Sequence, residues 1–149
     1  MSEELNCSIL AMEYPGYGFF THEILDGRAN PNKPLHTTAN HIKECARTVF
    51  RNVVAPITSS GLGFSPADVM VFGRSIGSGP ACVLAKEFRP GGLVLLSPFT
   101  SVKKAAASFV GSFLALFLSE HFDNLECIKQ IQCSVLFVHG ELDHIVPVK

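Results

Sequence analysis

Net charge is nearly absent from this sequence. Twelve lysines and arginines against thirteen aspartates and glutamates leave a formal charge of −1 over 149 residues. That balance gives no electrostatic case for a nucleic-acid partner. Cys7, Cys45, Cys82, Cys127 and Cys133 are odd in number and contain no C-x-x-C pair. A disulfide framework is therefore not expected, and a reducing, cytoplasmic setting is. No apolar run reaches the roughly 20 residues that span a bilayer. The run AAASFVGSFLALFL at 105–118 is 14 residues without a charge, and is expected as a buried or lid helix. The opening MSEEL is acidic and has no signal-peptide pattern, so the sequon at Asn6 reads as chance.

Several chemical signatures are missing too. No P-loop lysine follows the glycines near residue 77, and a dinucleotide fingerprint would need a third glycine where Cys82 stands. His41 and Cys45 share a helix face at i, i+4, but two ligands without an H-E-x-x-H pattern make no metal site. No cofactor and no metal are implied. There is no internal repeat and no low-complexity linker, so residues 1–149 are expected to form one domain. At this length a chain buries roughly 70% of its unfolded surface.

Four short apolar runs are present: SILAM at 8–12, VMVF at 69–72, LVLL at 93–96 and VLFV at 135–138. None alternates apolar with polar, which suits strands of a parallel sheet buried on both faces. Helical patterns lie between them. From Thr38 to Ile57, the residues Ile42, Ala46, Val49, Val53 and Ile57 recur at three- and four-residue steps. Thr37 or Thr38 can cap this helix, and Pro56 ends or kinks it near Ala55. A second helix follows Ser75, carries Pro80 in its first turn, and runs to about Phe88. Strands alternating with helices give an α/β fold with a parallel sheet.

The run Gly73-Arg-Ser-Ile-Gly77 fits G-x-S-x-G between an apolar strand and a helix, the context that this motif requires. A sharp strand-to-helix turn would leave the Ser75 hydroxyl exposed, with room only for small residues at 73 and 77. The Ile76 N–H would then face a developing oxyanion. The alternative is a tight turn with an incidental serine. A strand at 135–138 leads into His139-Gly-Glu-Leu-Asp143, which places carboxylates at 141 and 143. Functional groups of parallel sheets gather where strands give way to loops. Asp143 is the preferred acid and Glu141 the second choice.

Together these segments resemble the α/β-hydrolase superfamily, nearest to its intracellular single-domain acyl-protein thioesterases (depalmitoylases). EYPGYG at 13–18 resembles the turn after their fourth strand, and FSPAD at 64–68 the lead into the strand before the nucleophile. SPFTS at 97–101 resembles the turn after the sixth strand, and HGELD at 139–143 the H-G-x-x-D of the acid loop. The resemblance implies Ser75 as nucleophile, Asp143 as acid and the Ile76 N–H as one oxyanion donor. It implies a carboxylic ester or thioester substrate, small or carried on an acylated protein, and is compatible with association at a membrane surface.

Two departures shape the expectation. The family's catalytic histidine follows a further helix and strand beyond the acid, whereas six residues follow Asp143 here. The family's first three strands have no counterpart before residue 8, and the third would leave a gap in the sheet. Residues 1–149 are thus expected as a partial α/β-hydrolase domain, lacking the N-terminal strands and the final helix–strand unit. His22 is the one histidine placed to substitute; His36, His41 and His121 read as loop or helix-surface residues, and His144 is merely adjacent to the acid. The complete protein is expected to hydrolyse, and these residues alone to be nearly inert. The alternative is a non-catalytic hydrolase-fold interaction protein.

Overall fold

The computed structural model describes residues 6–25, 28–34, 37–100, 122–144 and 146. They fall into two compact units, Met1–Thr37 and Thr38–Lys149.

In the first unit, residues 8–12 form no strand. This corrects the expectation of a buried strand: Ile9 and Leu10 are more than half exposed, and an extended segment is stabilised only by a neighbour that takes its hydrogen bonds. A tight turn comes next. The Glu13 carboxylate accepts the Phe19 N–H at 3.0 Å, and the Gly16 N–H reaches the Phe20 carbonyl at 2.7 Å. Gly18 has φ +54°, and a Cβ there would lie 2.1 Å from Glu13 Oε1. The Glu13 carboxylate could shift aside, so it is the left-handed φ that calls for glycine at position 18 in EYPGYG. Thr37 Oγ1 donates to the Pro15 carbonyl. Strands β1 (His22–Leu25) and β2 (Arg28–Pro34) pair antiparallel, with Leu25 opposite Arg28.

The second unit opens with helix α1 (Ala39–Val54). Thr38 caps it, its hydroxyl accepting the His41 N–H at 3.1 Å, and Ala55 closes it immediately before Pro56. Ile42, Ala46 and Phe50 are among its buried residues, while Ile57 lies beyond the helix end and is exposed. A 3-10 turn at Pro66–Asp68, capped by Ser65, delivers the chain to β3 (Met70–Arg74). Helix α2 (Ser78–Phe88), strand β4 (Gly92–Leu96), the short helix α3 (Asn124–Ile128) and strand β5 (Ser134–Val138) complete the unit's described elements. The strands pair in parallel in the order β3-β4-β5, with Val71, Leu93 and Val135 in register, as are Arg74, Leu96 and Val138. The α/β arrangement expected from the sequence is present.

The core lies on one face of this sheet. Phe50 of α1 joins Ala81, Cys82 and Ala85 of α2 against Val71, Leu93 and Leu95. Each large apolar side chain so buried contributes about 1.5–3 kcal/mol. Arg47 binds α1 to α2 with a two-pronged contact to Glu87, at 2.8 and 2.5 Å. The opposite face is a correction to the expected two-sided burial. Met70 is 62% exposed, Phe72 63% and Leu136 57%. The 105–118 run lies outside the described residues, and among those described no helix is long and apolar enough to cross a membrane.

Candidate active site

Because the three strand ends are aligned, Ser75, Ser97 and His139 are the first residues past the sheet on its C-terminal side. The two outer strands are two spacings apart, roughly 10 Å. Ser75 and the loop bearing Asp143 therefore leave the same end of the sheet.

Ser75 is exposed, with φ +48°. That left-handed conformation is uncommon for a non-glycine residue and is maintained only where the surroundings enforce it. Here the enforcement is steric and polar. A Cβ at Gly73 would stand 2.6 Å from the Gly77 carbonyl oxygen and 2.7 Å from Ala81 Cβ, so helix α2 passes close behind the strand end. After Ser75 the chain enters a 3-10 turn, Ser75–Gly77, that runs straight into α2. The Ile76 N–H belongs to this first turn, where N–H groups have no partner within the helix. Ser97 repeats the left-handed conformation at the end of β4, with φ +46°, and its N–H donates to the Val138 carbonyl at 2.8 Å.

A buried polar chain lies beneath Ser75. Ser78 Oγ donates to the Ser75 carbonyl at 2.6 Å. Asn124 Nδ2 donates to Ser78 Oγ at 2.8 Å and to the Phe99 carbonyl at 2.9 Å. Ser78 is fully buried and Asn124 is 4% exposed. Neither stands out in the sequence, where a serine and an asparagine 46 positions apart carry no mutual signal. Only the short helix α3, capped by Asp123 at the Glu126 N–H at 3.0 Å, brings them together.

The acid loop is closed on itself. Asp143 Oδ1 accepts the Val146 N–H at 2.9 Å, and the His139 Nε2 meets the Val146 carbonyl at 2.6 Å. His139 Nε2 is 3.6 Å from Asp143 Oδ2. His139 is thus engaged in shaping the loop. Glu141 and His144 are exposed on it, and His41 is exposed on α1. His22 opens β1, while His36 and His121 lie outside the described residues. A cleft of about 240 Å³ is lined by Lys43, Gly79, Lys86, Phe122, Asn124 and Cys127 among others, and contains neither Ser75 nor Asp143. Cys82 sits in the core, where burial, then the neighbouring Cys127, pushes its thiol up to about 12. It behaves as a small hydrophobe, whereas Cys7 is exposed.

The chain is 26% identical over 146 residues to alpha/beta hydrolase domain-containing protein 17B of Homo sapiens, covering 98% of this chain and 43% of that protein. It is 30% identical over 144 residues to an uncharacterized protein of Mycobacterium tuberculosis, covering 96% of this chain and 45% of the other. Alpha/beta hydrolase domain-containing protein 17C of Mus musculus is 23% identical, with 98% of this chain and 39% of that protein covered. The chain is an α/β-hydrolase-fold protein, distantly related to these. It spans less than half the length of the curated relatives it matches. No family model matches it, and no solved structure matches it significantly.

Proposed function

We propose that this chain carries the nucleophile and acid of a serine hydrolase that cleaves carboxylic esters or thioesters through an acyl-enzyme. The observation that supports this best is an exposed serine in a left-handed turn between β3 and α2, at the sheet end from which the Asp143 loop also leaves. In this reading Ser75 Oγ attacks the acyl carbon and the Ile76 N–H donates to the oxyanion. Asp143 orients a histidine that takes the serine proton and returns it to the leaving group. His139 is a positioning residue of the acid loop. The resemblance to acyl-protein thioesterases favours a substrate with a fatty acyl group, small or borne on a protein.

Activity is expected of a protein that also supplies the histidine base. Without a triad member only a residual rate remains, about 10³–10⁴ over water. A fluorophosphonate probe tests the assignment. A chain carrying the base should label rapidly at Ser75 and lose the label in Ser75→Ala, while the 149 residues alone should label only slowly. Labelling that persists in Ser75→Ala would overturn the assignment of the nucleophile.

A further inference from the structure

The Ser75 carbonyl accepts a hydrogen bond from Ser78 Oγ and a share of the Ser78 N–H, which also points to the Ile76 carbonyl. That carbonyl belongs to the same peptide plane as the Ile76 N–H. A peptide is rigid about its C–N bond, so whatever fixes the oxygen fixes the direction of the hydrogen on its opposite side. We propose that Ser78 and Asn124 are positioning residues that aim and strengthen the Ile76 N–H by holding the Ser75–Ile76 peptide in place. The inference rests on the serine-hydrolase reading for its catalytic meaning, but not for its geometry.

The donor directions make the chain one-way. Asn124 gives its two amide hydrogens to the Phe99 carbonyl and to Ser78 Oγ. Ser78 Oγ then has its single hydrogen for the Ser75 carbonyl. Hydrogen bonds linked in this sense polarise one another, and a carbonyl that accepts more strongly leaves its peptide N–H a better donor. The chain also has fixed ends. The Leu125 N–H donates to the Thr100 carbonyl at 3.2 Å, which ties α3 to the turn after β4. On the α2 side, a Cβ at Gly79 would lie 2.4 Å from the Phe122 ring, so Phe122 and Gly79 are in tight contact. Three segments distant in sequence thereby converge on one peptide group. Both bonds from Asn124 are buried and the Ser78–Ser75 bond is partly so, and a buried polar group that loses its partner is left at a cost. The peptide has little freedom to flip.

Backbone NMR of the intact chain decides this whether or not the protein hydrolyses anything. Ser78→Ala removes one oxygen from the chain, and Asn124→Asp keeps the shape while replacing the amide donor. In both, Ser75 should lose the chemical-shift signature of a left-handed residue and the Ile76 amide resonance should move. The resonances of β4 should stay in place, showing that the sheet is folded. Ser78→Thr, which keeps the hydroxyl, should restore the wild-type pattern. In a chain that labels with fluorophosphonate, Ser78→Ala should lower the maximal inactivation rate about 10²-fold with the probe's binding constant unchanged. Unmoved Ser75 and Ile76 signals in folded Ser78→Ala and Asn124→Asp would overturn the proposal. A wild-type chain that fails to label despite a supplied base would count against the hydrolase reading alone, and the NMR result would still stand.

Discussion

Gly73 and Ser75 divide the work of the turn between them: one removes a side chain, and the other tolerates an unfavourable φ. Any Cβ at 73 meets Gly77 and Ala81 below 3 Å, and neither neighbour can yield, one being backbone and the other part of the core. Gly73→Ala is therefore expected to destabilise the second unit by about 1–3 kcal/mol, read as a lower urea midpoint with unchanged slope. The motif around Ser75 is legible because its small residues report close approach directly. The Ser78–Asn124 link is not, since hydrogen bonds between distant segments leave no periodicity and no spacing. His139 falls between these cases. Its place after β5 is visible in the sequence, but its bond to Val146 depends on how the loop closes.

At the scale of elements, helix α1 and the three parallel strands are readable, and the first unit is not. Helix α1 has its cap, its apolar face and its proline stop written locally, so tertiary context has little to add. Residues 8–12 have four apolar residues in five, as β4 and β5 do, yet a strand exists only with a partner, and composition does not say whether one is present. The antiparallel pair β1 and β2 is disguised because β2 contains two prolines, although Asp26-Gly27 between them is a strong hairpin dipeptide. Between α1 and α2, no local pattern announces the Arg47–Glu87 contact. Hydrogen bonding to Arg47 holds the Glu87 carboxyl below its usual value, against an opposing push from burial. A depressed carboxylate contributes stability above its unfolded pKa of about 4.3 and loses it as the pH falls through the folded value. Glu87 is 34% exposed, so solvent screening reduces the effect to about 0.5 kcal/mol. Glu87→Gln should be less stable than wild type by that amount at pH 6, and the difference should shrink as the pH is lowered below about 4.3, by urea titration.

For the chain as a whole, the most consequential expectation to fail is burial on both faces of the sheet. Parallel sheets are ordinarily covered on each side, and the continuous apolar runs in β3 and β5 argue for the same. Yet Met70, Phe72 and Leu136 stand in solvent, so the runs record a surface built to be covered without identifying its cover. Phe72→Ser should accordingly leave the unfolding free energy, from urea titration, within about 0.5 kcal/mol of wild type, as surface substitutions do. It should also reduce binding of a hydrophobic fluorescent dye. A loss of several kcal/mol would mean that Phe72 is packed. Helix α3 has a different consequence. It is five residues long, too short to persist by its own hydrogen bonds, and it holds one end of the clamp on the Ser75 peptide. Warming should fray it before the sheet lets go, so that the serine slackens while the bulk of the protein is still intact.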